Sequence, residues 1–458
     1  MIFTSIKHIH FVGIGGIGMS GIAEILINLG FTISGSDLSV SENTEYLASL
    51  GAHIYTGHAA EHIIGAEAVV YSSAVKPQEN QETIAAFEKG IPVIRRAEML
   101  AELSRLNYTL ALAGTHGKTT TTSLCGLVLM KGGIDPTVIV GGRLDGLGGT
   151  NARLGKGQWT VVEADEYDRS FLQLFPTIAV INNIEAEHLD IYGTEEEVKK
   201  AFIEFASKVP FYGLIALGLD DSGVRDILPH INKKIITFGL SRQCDIRAID
   251  IVSHEQSSTF TVKAHGKDLG KITIQIPGLY NVKNSLAAIT VGLHLEIPFE
   301  TIKSALETFG GVYRRFEIKG MIDDILIVDD YAHHPTELLN ALAAARAGWK
   351  DRRIVCVFQP HTYTRTRDFY KEFGLSFDDA DIVFITDIYP AREIPIEGIT
   401  GELIAQSAKK AGHRNVHYVQ NKADLEHVVK SIIQPGDLVL TVGAGDITKL
   451  SDILLVGK

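Results

Sequence analysis

The sequence has few cysteines and tryptophans, and it has no hydrophobic run long enough to cross a membrane. Three cysteines occur in 458 residues, Cys125, Cys244 and Cys356, too far apart for a metal-ligand spacing or a disulfide framework. A membrane span would need about 18 consecutive apolar residues. Glycines interrupt the first apolar segment, which is unlike a signal peptide. We therefore expect a reducing, cytoplasmic compartment and no membrane partner.

The chain also lacks an excess of positive charge. Its formal net charge is −12, which argues against a nucleic-acid partner but not against a nucleotide held by local loops. The length suggests about three domains of roughly 150 residues each. Hydrophobic residues make up 45% of the chain, enough for each domain to bury a core. The composition does not indicate an oligomeric state.

The most informative stretch is a glycine-rich loop between an apolar strand at 110–113 and a helix pattern from Thr119. In such loops backbone N–H groups turn toward an anion, Lys118 contacts the β- and γ-phosphates, and the Thr119 hydroxyl ligates Mg²⁺. Leu112 stands where the usual motif has its first glycine, so the loop is a shortened variant. An ordinary glycine-rich turn is the alternative. The predicted ATP-binding residues of the loop are Gly114, Thr115, His116, Gly117, Lys118, Thr119 and Thr120.

A second glycine loop follows the first strand and has the spacing of a dinucleotide fingerprint. Its glycines are Gly13, Gly15, Gly16 and Gly18. They indicate a diphosphate on a helix N-terminus, and Ser36-Asp37 ends the next strand, where an acid can hold a ribose hydroxyl. The pattern fits NAD and a nucleotide-sugar diphosphate equally.

Three further polar residues of this region lie in or near predicted turns at strand ends. They are His58, Ser72 and Ser73. Ligands bind at such ends in parallel sheets. Local turn chemistry explains the same residues equally well.

In the central region two apolar strands end in carboxylates. Glu163, Asp165 and Glu166 follow the strand at 159–162, and His188 lies in an acidic segment after the strand at 177–181. Such groups at strand ends indicate a metal site, and a solvated acidic loop is the alternative. Lys199 and Lys200 are expected on a solvated helix face, and a role near paired metals stays open.

An alternating pattern at 245–276 predicts an antiparallel β insertion, and an amphipathic helix follows at 280–295. Asn281 and Asn284 share a face of that helix, where they could contact adenine or cap the helix. Arg314 and Arg315 lie in a glycine-rich loop, a candidate clamp for a phosphate or a carboxylate. Strand–helix alternation throughout predicts an α/β fold with mostly parallel sheets.

The C-terminal region repeats the arrangement of strands that end in polar or glycine-rich loops. Those loops carry Asp330, Tyr331, His333, His361 and Arg365. In an open α/β sheet the carboxyl ends of the strands form the binding edge. We therefore expect a second binding site in this region.

Together these stretches resemble the Mur ligases of peptidoglycan synthesis. The matching stretches occur in the order of the family over nearly the whole chain, so their joint signal is strong although each alone is weak. They are GIGGIGMSG (13–21), SGSD (34–37), RRAEML (95–100), GTHGKTTT (114–121), EADEYDRSF (163–171), NIEAEHLD (183–190), YNVKN (280–284), YRRFE (313–317), DDYAHHPTE (329–337), FQPHTYTRT (358–366) and GAGD (443–446).

The resemblance implies three domains: a Rossmann-like UDP-substrate domain at 1–107, a P-loop ATP domain at 108–314, and a Rossmann-like amino-acid domain at 315–458. It implies ATP-dependent ligation of L-alanine to the lactyl carboxylate of UDP-N-acetylmuramate through an acyl phosphate, with ATP and two Mg²⁺ ions. It favours UDP over NAD at the first loop. Closure of the domains is expected to assemble the site and exclude water.

The resemblance also implies roles for individual residues. Catalytic roles fall to Lys118, His188, Arg315, Asp330 and His333. The implied Mg²⁺ ligands are Thr119, Glu163 and His188, and Asn281 and Asn284 face adenine. The UDP-substrate residues are Gly13, Gly15, Gly16, Gly18, Ser36, Asp37, Ser72 and Ser73. Tyr331, His361 and Arg365 line the L-alanine site.

Two positions depart from the family pattern. Tyr280 stands where histidine is frequent, and Thr362 where arginine is frequent. The second departure removes a guanidinium from the expected alanine-carboxylate site, for which Arg365 or Arg367 could compensate, so selectivity among L-alanine, glycine and L-serine stays open. The identity of the general base, the presence of a carbamylated lysine and the kinetic order also stay open. Three alternative functions remain: a recycling ligase that attaches a preformed peptide to the same UDP-sugar, an NAD-dependent oxidoreductase, and a non-catalytic nucleotide sensor.

Overall fold

The computed structural model describes residues 6–144, 150–391 and 393–456, without the side chains of Arg143, Leu144 and Asp190. Its contacts divide the chain into two compact units. The first holds the described parts of Met1–Ile249, Val262–Gly270 and Lys283–Leu306, and the second holds Asp250–Thr261, Lys271–Val282 and the described part of Glu307–Lys458. The predicted regions 1–107 and most of 108–314 therefore belong to the first unit.

The N-terminal region alternates strands and helices, as its sequence pattern predicts. Its five strands form one parallel sheet in the order β3-β2-β1-β4-β5. The elements are β1 (His8–Val12), α1 (Ile17–Asn28), β2 (Thr32–Asp37), α2 (Glu42–Ser49), β3 (His53–Thr56), β4 (Ala68–Tyr71), α3 (Gln81–Glu88), β5 (Val93–Arg95) and α4 (Arg96–Ser104).

The central region contributes a sheet of ten strands, in the order β15-β14-β13-β12-β11-β10-β6-β9-β7-β8. Parallel pairing joins β11, β10, β6 and β9, while β7 and β8 pair antiparallel. The elements are β6 (Tyr108–Ala113), α5 (Lys118–Lys131), β7 (Thr137–Leu144), β8 (Thr150–Arg153), β9 (Trp159–Glu163), β10 (Ile178–Ile181), α6 (Leu189–Tyr192), α7 (Glu195–Ser207), β11 (Leu214–Gly218), α8 (Ser222–Ile227), β12 (Ile235–Gly239), β13 (Ile246–His254), β14 (Ser257–Ala264), β15 (Lys267–Ile274), α9 (Leu279–His294) and α10 (Phe299–Glu307).

The C-terminal region forms a third sheet, of six strands, in the order β16-β17-β21-β18-β19-β20. Only the pair β16–β17 is antiparallel among the pairings of this sheet that the structure describes. The elements are β16 (Glu317–Ile322), β17 (Ile325–Asp330), α11 (Pro335–Gly348), β18 (Arg353–Phe358), α12 (Tyr363–Gly374), β19 (Ile382–Thr386), α13 (Gly401–Lys410), β20 (Val416–Val419), α14 (Lys422–Ile432), β21 (Asp437–Val442) and α15 (Thr448–Leu455).

The predicted α/β class is confirmed, including the three β-sheets and the additional strands at 246–274. The central strands β6, β10 and β11 are almost entirely buried, which explains why the sequence shows continuous apolar runs there instead of alternation. Within the described residues, every helix is too short or too polar to cross a bilayer.

Candidate active site

The loop between β6 and α5 surrounds the ammonium group of Lys118. Its Nζ donates to the carbonyl oxygens of Gly114 and Thr115 at 2.9 and 3.2 Å. The same nitrogen lies 2.7 and 2.9 Å from the two carboxylate oxygens of Glu166. The side chain of Glu166 is 2% exposed and that of Lys118 is 14% exposed. The loop thus holds one cation at the N-terminus of α5, where a phosphate cradle needs it.

Gly117 is required at its position for two reasons. Its φ of 79° lies in the left-handed region, and a Cβ there would stand 2.5 Å from Oδ1 of Asn284. Asn284 therefore lies directly against the phosphate loop. Asn281, one turn earlier on α9, donates its amide to the carbonyl of Pro277 at 2.7 Å.

The segment that follows β10 braces this loop. Asn183 accepts a hydrogen bond from the N–H of His116 at 2.7 Å and donates to its carbonyl at 3.1 Å. The Thr115 hydroxyl accepts from the N–H of Glu185 at 2.9 Å. These supporting residues were not predicted from the sequence, because the phosphate-loop motif does not include the neighbouring strand.

Thr119 and Glu163 come together as the predicted metal ligands require. The Thr119 hydroxyl donates to the two carboxylate oxygens of Glu163 at 3.0 and 3.1 Å, and Gly141 N donates to the same carboxylate at 2.8 Å. A hydroxyl beside a carboxylate, at the N-terminus of a helix, is an oxygen donor set that suits Mg²⁺. Thr120, the next residue of α5, is buried.

A second group of possible ligands lies next to the Lys118–Glu166 pair. One atom each from Glu166, Glu187 and His188 lies within 4.8 Å of the others. His188 has a left-handed φ of 55°, and its ring packs edge-on against Tyr167 at 5.1 Å. The predicted ligand His188 therefore lies among carboxylates, and Glu166 and Glu187 are further possible ligands at the same place.

Burial and charge oppose each other in the Lys118–Glu166 pair. Burial raises the pKa of Glu166 to about 7, although the neighbouring Lys118 lowers it. Burial disfavours the Lys118 cation, yet the charges of Glu166 and Asp165 raise its pKa above the usual value. The contact of 2.7 Å indicates an ionised pair.

Lys199 and Lys200, which the sequence left without a role, form ion pairs on the surface of α7. Lys199 contacts Glu195 at 2.8 Å and Asp226 at 2.9 Å. Lys200 contacts Glu197 at 2.7 Å. Each ammonium group therefore has at least one carboxylate partner.

The first glycine loop is shaped by the end of β2. Ser36 O accepts from the N–H groups of Gly13 and Ile14 at 2.8 and 3.0 Å. Asp37 Oδ2 accepts from the N–H of Gly15 at 2.8 Å, and its other oxygen accepts from Leu38 N. Carboxylate oxygens have further lone pairs, so Asp37 keeps capacity to accept from a ligand. Gly16 is the N-cap of α1.

A cavity of about 340 Å³ lies beside this loop. A Cβ at Gly18 would stand 3.0 Å from a guanidinium nitrogen of Arg96, and one at Gly13 would stand 3.1 Å from Ser72 Cβ. Arg95 and Arg96 were predicted only as part of a family motif, although paired arginines before a helix are a charge signal. The lining residues include Tyr71, Ser73, Arg95, Arg96, Tyr167 and Asp168.

The second unit brings most of its predicted residues together. Asp330 ends β17, is 5% exposed and accepts from the N–H groups of Phe316 and Ala332, both at 2.7 Å. Burial raises the pKa of Asp330 to about 6, while Arg315 lowers it. The Arg315 guanidinium lies 5.1 Å from the ring centroid of Tyr331.

His361 lies at the centre of a row of rings. His333 meets it edge-on at 5.7 Å, and Tyr389 stacks on it at 5.7 Å. Tyr331 meets His333 at 5.4 Å. Burial lowers the pKa of His361 to about 3, helped by His333 and Arg365. His361 Nδ1 is buried without a hydrogen-bond partner, as expected of an atom that serves a ligand.

The two adjacent arginines have different roles. Arg314 is buried and donates to Asp329 at 2.8 Å and to the carbonyls of Gly445 and Gly443 at 3.1 and 2.6 Å. The guanidinium of Arg314 therefore has a structural role. Both guanidiniums of the predicted clamp lie 5.1 Å from the ring centroid of Tyr331, but that of Arg314 is already hydrogen-bonded within the protein.

Comparison with known proteins gives this architecture a family. Three family models match consecutive segments: the Mur ligase family catalytic domain at 8–108, the Mur ligase middle domain at 112–292, and the Mur ligase glutamate ligase domain at 314–445. The chain belongs to the Mur ligase family. It is 52% identical to the UDP-N-acetylmuramate–L-alanine ligase of Geobacter sp. (strain M21) over 454 residues, which cover 99% of this chain and 98% of the relative.

Two solved structures make the relationship more specific. The UDP-N-acetylmuramate–alanine ligase MurC from Thermotoga maritima is 30% identical, has a TM-score of 0.83 and is matched over 98% of both chains. The UDP-N-acetylmuramate:L-alanyl-γ-D-glutamyl-meso-diaminopimelate ligase from Neisseria meningitides is also 30% identical. Its TM-score is 0.62, over 68% of this chain and all of that one.

Proposed function

We propose that this protein is an ATP-dependent ligase that joins L-alanine to the lactyl carboxylate of UDP-N-acetylmuramate in peptidoglycan precursor synthesis, with ADP and phosphate as coproducts. The observation that carries the proposal is the 52% identity, over 99% of the chain, to a relative named for this reaction. The recycling ligase is the second candidate, supported by the Neisseria structure with its lower TM-score. Family membership leaves the oxidoreductase and sensor alternatives without support.

The first unit would hold the phosphates of both nucleotides. We propose the UDP diphosphate at the loop 13–18 with Ser36, Asp37, Ser72 and Ser73, inside a domain that spans 1–107. We place the sugar in the cavity of about 340 Å³ that Arg96 lines. The triphosphate of ATP would lie at 114–120 and adenine at the Asn281–Asn284 face, inside a domain that spans 108–314. A cytoplasmic location agrees with three free cysteines.

A carboxylate does not react directly with an amine, because oxide is a poor leaving group, and it must first be activated. Its oxygen attacks the γ-phosphorus of ATP, ADP leaves, and an acyl phosphate forms. Lys118 stabilises the negative charge that spreads over the phosphoryl oxygens. Thr119, Glu163 and His188 would hold Mg²⁺, as two ions, which neutralises further charge on the triphosphate. The deprotonated amine of L-alanine then attacks the acyl carbon, and phosphate leaves.

The domain at 315–458 would place L-alanine. Tyr331, His361 and Arg365 are the proposed binding residues, with Arg315, Asp330 and His333 near the reacting groups. Because the pKa of His361 is about 3, it binds as a neutral imidazole and is a poor general base. His333 is the candidate for the base, because the lone pair of His188 would be occupied by Mg²⁺.

Phosphate release measured with ATP, Mg²⁺ and UDP-N-acetylmuramate tests the proposal. We expect release only when an amino acid is added, with L-alanine preferred over glycine and L-serine. Release that requires a preformed tripeptide would favour the recycling ligase. Rapid release without the UDP-sugar would contradict both ligase functions.

A further inference from the structure

A buried group of polar side chains lies behind the first glycine loop, around Glu82 in the first turn of α3. The carboxylate of Glu82 is fully buried. It lies 2.6 Å from the Ser36 hydroxyl, 2.7 Å from His62 Nδ1 and 3.1 Å from His58 Nδ1. His10 Nε2 lies 3.7 Å away. Four side chains therefore converge on one carboxylate, and Ser36 belongs to the proposed UDP site.

Glu82 is an anion in this environment. Burial alone would raise its pKa, but contacts with His10, Ser36 and His62 lower the pKa to about 2. Its place in the first turn of α3 adds the favourable end of the helix dipole. An ionised carboxylate only accepts hydrogen bonds, so the nitrogen of each imidazole that faces it carries the proton.

This charge determines the tautomer of His58. Its Nδ1 faces Glu82 and lies 2.9 Å from the Ser36 hydroxyl, so the neutral ring is the Nδ1–H form and Nε2 carries a lone pair. The side chain is 20% exposed. Ser36 connects the same carboxylate to the loop, because its carbonyl accepts from the N–H groups of Gly13 and Ile14.

We propose that Glu82 is a positioning residue for the UDP-substrate site. It acts through Ser36, which holds the glycine loop at the end of β2, and through His58, which it presents as an acceptor for an N–H or O–H of the ligand. This inference rests on the proposed function, which places the UDP moiety at this loop. The catalytic loop at 114–119 is not part of the network.

Titration of Glu82→Gln with UDP by calorimetry tests the inference. The amide removes the negative charge and keeps only one acceptor oxygen. The side chain can then no longer accept from Ser36 and His58 on one side and from His62 on the other, which weakens the network that holds the loop and fixes the His58 tautomer. UDP affinity should fall about ten-fold or more, the effect of one lost hydrogen bond. The KM for the UDP-sugar should rise by a similar factor while kcat and the affinity for ATP stay unchanged.

Glu24→Gln is the matched control. Glu24 is a buried carboxylate of the same region, 6% exposed, and accepts from the Tyr46 hydroxyl at 3.1 Å. It has no contact with the Glu82 network among those the structure describes. Its replacement should leave UDP affinity within about two-fold of wild type. An equal loss in both variants would mean a general effect of removing a buried carboxylate and would overturn the inference.

A measurement on the unmodified protein covers the case in which Glu82→Gln does not fold. ¹⁵N NMR of the imidazoles should show His58 as the Nδ1–H tautomer at neutral pH, and an Nε2–H tautomer would overturn the inference. Equal UDP affinity of wild type and a folded Glu82→Gln variant would overturn it as well. Failure of the wild type itself to bind UDP would instead refute the proposed function.

Discussion

Replacing Glu166 by glutamine should destabilise the protein by about 3 kcal/mol, near the lower end of the range of about 3–5 kcal/mol for breaking a buried ion pair. The substitution keeps the shape of the side chain but leaves the Lys118 ammonium without its anionic partner. The Lys118 side chain is 14% exposed, so water replaces little of the lost interaction. The carbonyls of Gly114 and Thr115 still accept from it, which is why we expect the lower value.

Replacing Lys118 by methionine should lower the free energy of unfolding by an amount that depends on pH. Without Lys118 the pKa of Glu166, already about 7, rises further. The folded protein then binds this proton more tightly than the unfolded chain, whose carboxyl titrates near 4.5. The stability that the proton supplies is complete below about pH 4.5 and is lost as pH rises through the folded pKa, by about 1.4 kcal/mol per pH unit.

Urea unfolding of Glu166→Gln at pH 8, where the carboxylate of the wild type is ionised, and of Lys118→Met at pH 5 and pH 8 measures these effects. The control is Glu79→Gln, which breaks the pair with Lys76, where the side chains are 69% and 73% exposed. It should change stability by less than about 0.5 kcal/mol. The reasoning is refuted if Glu166→Gln costs no more than the control, or if the loss in Lys118→Met is the same at both pH values.

Three further predictions concern single side chains. Thr119→Val removes the hydroxyl that contacts Glu163 and should raise the Mg²⁺ concentration for half-maximal activity about ten-fold; an unchanged Mg²⁺ titration would contradict the assignment. Gly117→Ala forces a Cβ onto a φ of 79° and should cost about 1–3 kcal/mol in thermal unfolding, whereas an unchanged melting temperature would contradict this. His361 has a pKa of about 3 in the folded protein, below its usual 6.5. The stability that the neutral ring contributes to the folded state is therefore lost as pH falls from about 6.5 toward 3. His361→Phe should therefore gain about 2 kcal/mol relative to wild type between pH 7 and pH 4.5, and a pH-independent difference would contradict it.

Both glycine loops could be predicted from the sequence because each motif is continuous along the chain. The strand, the turn and the helix start follow one another, and the structure begins α1 at Ile17 and α5 at Lys118. The acidic ends of β9 and β17 were predictable for the same reason, since a buried strand that runs into carboxylates is visible as a local pattern.

The roles of Arg314 and Arg315 show what local pattern could not provide. The two residues are adjacent and of the same type, so the sequence indicates only a pair of guanidiniums. The partners of Arg314 lie 15 to 131 residues further along the chain, at Asp329, Gly443 and Gly445. Which arginine is buried depends on the packing of the glycine loop that follows β21, and that packing is not encoded near residue 314.

Sheet order explains which supporting residues were missed. In the first sheet β1 lies between β2 and β4, so the ends of those strands, at Ser36 and Ser72, flank the glycine loop. In the central sheet β6 lies between β10 and β9. Asn183, just after β10, lies on one side of the phosphate loop, and Glu163, the last residue of β9, lies on the other. The flanking strand β2 follows its loop closely, so the motif's acid at about 20 residues indicated Asp37, which accepts from Gly15, 22 residues earlier. The brace from Asn183 comes from 67 residues away, a distance at which no spacing rule operates. A motif therefore identifies the residues that would meet the ligand, and the two strands beside it in the sheet identify the residues that hold them in place.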